Sequence, residues 1–137
     1  MEEKLDIRAV PENLPRVLEF IGQHLESSGC SRRAKAQIDV AVEEIFVNIS
    51  SYAYDPDIGI AQIRVETRED PLSVVMSFID GGKPYDPLAN PEPDLKIPLK
   101  ERKKGGLGIF MVRKTMDCVE YEYRDGQNIL TVTKNIG

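Results

Sequence analysis

The apolar residues of this chain change their spacing several times, and each change marks an element. In "KLDIRAV" (4–10) apolar and polar side chains alternate, the two-residue period of a strand. From Leu14 the spacing becomes helical: Leu14, Val17, Leu18, Ile21 and Leu25 share one face, and the run stops near Gly29. Ser31 has the chemistry of an N-cap for a second, longer helix, in which Ile38, Val42, Ile45 and Ile49 step by four, three and four. Pro56 and Gly59 in "YDPDIG" break it. Strand spacing returns in "IAQIRVETRE" (60–69) and "LSVVMSFID" (72–80), a hairpin with Asp70 and Pro71 between its arms. A third helix is predicted over "LGIFMVRKTMD" (107–117). "CVEYEYRDGQNILTVTK" (118–134) reads as a strand, a turn at Asp125–Gly126 and a last strand. These elements predict one α+β domain over residues 1–137, a mostly antiparallel sheet covered on one face by three helices.

One stretch obeys neither period. "GGKPYDPLANPEPDLKIPLKERKKGG" (81–106) holds five prolines and no apolar repeat. A loop that long is uncommon in so small a domain unless it is functional or disordered.

Three places set polar or glycine residues where the pattern does not require them. In "EEIFVNISSYAY" (43–54), Glu44 and Asn48 lie one turn apart beside the apolar stripe of Ile45, Ile49 and Tyr52. At about 100° per residue their side chains diverge by only about 40°, whereas Glu43 is about 140° from Asn48. Geometry therefore pairs Asn48 with Glu44. An amide oxygen suits Mg2+, which takes few protein ligands, and a carboxylate beside it can accept a proton from an attacking hydroxyl or water. In "SFIDGGKPYDP" (77–87), Asp80 ends an apolar strand ahead of two glycines, placed to accept a hydrogen bond from an amino group such as that of adenine. In "RKKGGLGIFMVRK" (102–114), Gly105, Gly106 and Gly108 open a helix beside Arg102, Lys103 and Lys104, the makings of an anion site. No Gly-Lys-Ser/Thr follows, so this is not a P-loop, and no strand precedes the glycines as a dinucleotide fold requires. Taken singly, each place also reads as ordinary structure: a solvated helix edge, an Asp-Gly turn and a glycine hinge.

Composition narrows the classes of function. With 18 basic and 23 acidic residues the net charge is −5, and no nucleic-acid-binding footprint is expected. No apolar run approaches a membrane span, and the acidic, mixed start "MEEKLDIRAV" is unlike a signal peptide, so a cytoplasmic location without membrane attachment is expected. Cys30 and Cys118 lack metal-site spacing and are expected to be reduced. His24, the single histidine, stands on the first helix away from the three places, and Phe46, Phe110 and Met111 are expected in the core.

In order along the chain, the carboxylate–amide helix, the strand-end Asp-Gly, the long loop and the glycine-led helix resemble the GHKL superfamily of ATP-binding domains. Within it, "EEIFVNI", "DGGKPYDP" and "GGLGIFMVRK" look most like the bacterial anti-sigma factor serine/threonine kinases. The resemblance spans roughly residues 5–134. It implies a Bergerat-type two-layer α/β sandwich with a mixed, mostly antiparallel sheet, and an ATP lid over about 83–106. It implies ATP and Mg2+ as cofactors, with Glu44 as general base and Asn48 as the Mg2+ ligand. Asp80 and Gly82 would hold adenine, and Lys104, Gly105, Gly106 and Gly108 would surround the phosphates. The implied activity is phosphorylation of a serine on a STAS-domain antagonist by a dimeric protein that also binds a sigma factor. Asp80-Gly81-Gly82-Lys83-Pro84 replaces the more usual Asp-x-Gly-x-Gly, and no basic residue follows Asn48 before Ala53 and Tyr54. Two other readings stay open: an ATP-responsive binding module without phosphoryl transfer, and a detached histidine-kinase catalytic domain.

Overall fold

The computed structural model describes residues 2–54, 58–84, 86 and 106–137. Strand β1 (Glu2–Arg8) leads through a 3-10 turn (Pro11–Asn13) into helix α1 (Leu14–Ser27). Helix α2 (Arg32–Asn48) follows and closes in a π-helical turn (Ile49–Ala53). Strands β2 (Ile60–Arg68) and β3 (Ser73–Asp80) form a hairpin, helix α3 (Gly106–Thr115) comes next, and β4 (Cys118–Arg124) and β5 (Gln127–Asn135) form a second hairpin.

Local chemistry sets the helix limits. Pro15 occupies the first turn of α1, where a backbone N–H has no helical partner to lose. Gly29 adopts a φ of 77° just beyond the helix, a left-handed stop that glycine makes without steric cost. The Ser31 hydroxyl caps α2 by accepting the Ala34 N–H at 3.2 Å.

The sheet order is β1-β2-β3-β5-β4, with every neighbouring pair antiparallel. The expected mixed sheet is therefore antiparallel throughout among the described strands. β3 and β4 do run in the same direction, but β5 inserts between them, so the parallel pair never bonds. β1 ends at Arg8, paired with Ile60 where β2 begins, and the Ala9 N–H then donates to Gly59 O at 2.8 Å.

Alternate strand positions fill one core. Ile63, Val65, Val74, Met76, Phe78, Leu130 and Val132 face Val17, Ile21 and Leu25 of α1, Ile38, Val42, Ile45 and Phe46 of α2, Val112 of α3 and Met116 just beyond it. Phe46 meets the expectation of a core residue, but Met111 does not. It is 43% exposed, because Val112 on α3 and Met116 just after it take the inward positions. His24 is buried, with Nδ1 2.7 Å from Glu3 Oε1 and Nε2 2.7 Å from Thr67 Oγ1. It ties α1 to the edge of the sheet. Cys30 and Cys118 are free thiols, the first held protonated by desolvation and the second by donating to Glu120.

Candidate functional site

The site begins on α2. Ile45 and Phe46 are buried, Glu43 is exposed, and Glu44 and Asn48 are both half-buried at the edge of the packed face. This is the distinction that helical geometry draws between the two glutamates. Desolvation raises the Glu44 pKa above the usual carboxylate range, and the charge of Glu43 raises it further. When ionised, Glu44 is thus a stronger base than a free carboxylate.

Beyond Asn48 the helix widens into the π-helical turn, a feature frequent at functional sites. There the Ser50 hydroxyl donates to the Phe46 carbonyl at 2.9 Å. The widened turn carries Ala53 and Tyr54 to the end of the sheet. Ala53 O accepts the Lys83 N–H at 2.9 Å. The Tyr54 hydroxyl accepts the Gly81 N–H at 2.7 Å and donates to Ile60 O at 2.7 Å. A methyl group built on Gly82 would overlap the Ala53 carbonyl, so only glycine permits this approach.

Asp80 closes β3 on the core-facing side and is 5% exposed. Its Oδ1 accepts the Gly82 N–H and an Asn128 Nδ2–H, each at 2.9 Å. Its register partner Asn128 is buried too, donates to Lys83 O at 2.9 Å and accepts from the Tyr121 hydroxyl. Oδ2 takes no hydrogen bond among the described residues. One carboxylate oxygen is therefore anchored, and the other is free to accept from a ligand.

The structure thus brings the Asp80–Gly82 loop against the end of the helix that carries Glu44 and Asn48. Helix α3 packs on α2, with Gly106 and Gly108 in its first turn. Lys104 and Gly105, and the 87–105 part of the expected lid, lie outside the described residues. Two residues of the arrangement, Tyr121 and Asn128, escape a reading of the sequence, and Tyr54 enters that reading only as part of the family pattern and not through its contacts. Asn128 does leave a signal, because it shares the alternation of Leu130 and Val132, and a polar residue in an inward series needs a partner. The Tyr54 contacts leave none, since the partners are backbone groups, Ile60 O six residues on and the Gly81 N–H just past β3.

Comparison with known proteins identifies the family. A family model described as the histidine kinase-like ATPase domain matches residues 7–134. The chain is 31% identical over 105 residues to the serine/threonine-protein kinase BtrW of Bordetella bronchiseptica, covering 77% of this chain and 73% of that one. It is 30% identical over 132 residues to the serine-protein kinase RsbW of Halalkalibacterium halodurans, covering 88% and 79% respectively. The anti-sigma F factor of Caldanaerobacter subterraneus is 30% identical over 103 residues, covering 74% and 71%. Among solved structures, that of the RsbU and RsbW domains of a Mycobacterium tuberculosis protein superposes with a TM-score of 0.66. That likeness, at 19% identity, is one of fold; it covers 98% of this chain and 32% of the other. Together with the carboxylate–amide helix and the anchored Asp80, these matches make the chain a member of the GHKL, or histidine kinase-like, ATPase domain family, where it stands beside the anti-sigma factor serine/threonine kinases.

Proposed function

We propose that this chain is an ATP- and Mg2+-dependent serine/threonine kinase that phosphorylates a serine of a STAS-domain antagonist and thereby regulates a sigma factor. The observation that carries the reading is the half-buried Glu44, its proton affinity raised, beside Asn48 on a helix whose end is bonded to the Asp80 loop. The names of the similar kinases support the class of reaction.

The residues suit an adenine nucleotide. Asp80 Oδ2, without a hydrogen-bond partner among the described residues, suits an exocyclic amino group, and Gly81 and Gly82 let the backbone come close to a flat ring. Asn48 offers a neutral oxygen for Mg2+, which at that place would offset the negative charge of the phosphate oxygens. Glu44 would take the proton of the partner's serine hydroxyl as that oxygen bonds to the γ-phosphorus, while the bond to the β–γ bridging oxygen breaks and ADP leaves. Gly106 and Gly108 present the first-turn N–H groups of α3 to the phosphates, with Lys104 and Gly105 completing the lid over about 83–106. We assign all 137 residues to one kinase domain and expect it to work as a homodimer in the cytoplasm.

The test is transfer of labelled γ-phosphate to a purified STAS-domain partner. Glu44→Ala should bind ATP as the parent does and transfer no label. Full transfer by the variant would remove Glu44 from the chemistry. Absence of transfer by the parent, with ATP bound, would leave an ATP-responsive binding module.

A further inference from the structure

We propose that Tyr54 is a positioning residue that sets the adenine-reading loop against the Asn48 end of α2, and so tunes both affinity and base selectivity. The inference rests on the ATP reading of the site. Its basis is the placement of one hydroxyl group. The Tyr54 OH lies 2.7 Å from both Gly81 N and Ile60 O, accepting from the first and donating to the second. Gly81 stands between Asp80 and Gly82, the two residues whose atoms define the acceptor. Ile60 opens β2, the strand hydrogen-bonded to the β3 strand that Asp80 ends. One side chain from the end of α2 therefore holds two neighbouring strand ends at once.

The ring is fixed as firmly as the hydroxyl. Gly59 lies directly against it, and a methyl group there would overlap three ring carbons. Glycine at 59 is what lets the ring reach across the start of β2. Close by, Ala53 O receives the Lys83 N–H at 2.9 Å, so the loop is bonded to the helix end on both sides of Gly82. From the opposite side Asn128 holds Asp80 Oδ1 and Lys83 O. Asn128 fixes the carboxylate within the sheet, whereas Tyr54 fixes the loop relative to α2. The distance between an adenine on Asp80 and a phosphate-bound Mg2+ on Asn48 depends on that second coupling. Small errors in such placement cost large factors in rate and affinity.

Tyr54→Phe removes the hydroxyl and keeps the ring on Gly59. Two properties are expected to change. The Gly81 amide loses its acceptor and exchanges its hydrogen faster with solvent, read by NMR. Affinity for Mg2+·ATP, read by calorimetry, falls about tenfold, the order expected for losing one well-formed hydrogen bond. Affinity for Mg2+·GTP, whose base offers no amino group at the adenine position, falls less, so the preference for ATP narrows. A residue that served stability alone would lower both affinities equally and leave the preference intact. The cycle with Asp80→Asn sharpens the test: if Tyr54 acts through Asp80, the two losses are less than additive.

The outcomes separate. A parent protein that binds ATP, with an unchanged affinity and base preference in Tyr54→Phe, overturns the inference alone. A parent that binds neither nucleotide overturns the ATP reading and the inference with it. Should Tyr54→Phe unfold, Gly59→Ala, which displaces the ring and leaves the hydroxyl chemistry intact, is expected to narrow the same preference; a full preference there also overturns the proposal.

Discussion

Glu44 shows how a single carboxylate can be set for function at a cost to stability. Burial and the Glu43 charge raise its folded-state pKa, so the fold prefers the protonated form. The contribution to stability is then fully present below the unfolded carboxylate pKa and is lost as pH rises through the higher folded value. At neutral pH an ionised Glu44 opposes folding. Glu44→Gln should raise the thermal midpoint at pH 7 and lose that advantage in acid, below the unfolded value. The same change should lower phosphoryl transfer by at least about a hundredfold, the usual range for a general base. Stability measured at two pH values and a transfer assay check both halves. In the parent, transfer should decline on acidification at a pH above that of an ordinary glutamate, because the base must be ionised to act. A pH-independent rate through that range would deny Glu44 the role.

At the level of elements, the decisive contact is between the π-helical end of α2 and the loop after β3. Gly82→Ala forces its methyl group into the Ala53 carbonyl, and neither backbone segment can yield without breaking the Lys83–Ala53 bond. We expect a loss of about 1–3 kcal/mol, typical of overpacking, together with weakened ATP binding. Chemical denaturation and calorimetry would show it, and a variant as stable and as tight as the parent would show that the contact is slack. Much of this level was legible beforehand. Helical periodicity separated Glu44 from Glu43, Ser31 announced the α2 cap, and Asp125–Gly126 announced the last hairpin, where both residues adopt positive φ. What escaped was whatever depends on two distant segments meeting. The His24 contacts with Glu3 and Thr67 join residues from three elements, and Tyr54 reaches backbone groups that no side-chain pattern reports. Met111 was misplaced because a short helix offers two apolar faces, and only packing on α2 selects Val112 and Met116.

Across the whole molecule, the core and the site share α2. Phe46 is wholly buried between Glu44 and Asn48 in sequence, so the residues proposed to bind and the residues that pack alternate along one helix. Phe46→Ala should cost about 3–5 kcal/mol, a large part of the stability of a domain this size. Excess nucleotide should recover part of that loss. No described helix is long and apolar enough to cross a membrane. The outer face of the sheet mixes polar positions such as Arg64, Ser77, Glu120 and Thr131 with the apolar Val75, Ile79 and Ile129, and Ser77 and Thr131 lie 3.3 Å apart across β3 and β5. The face covered by the helices carries both the core cluster and the proposed chemistry.

The central claim is that the Asp80 loop and the end of α2 form one Mg2+·ATP site. Thermal unfolding of the parent protein and of Asp80→Asn, with excess ATP in the presence and absence of Mg2+, tests it most directly. Ligand at about a hundred times its dissociation constant stabilises by about 2.7 kcal/mol. For a chain of 137 residues that is a rise of several degrees in the midpoint. The account predicts such a rise for the parent with Mg2+·ATP, a smaller one without Mg2+, and almost none for Asp80→Asn. A folded parent whose midpoint does not move with any nucleotide, or a variant that moves as far as the parent, would contradict it.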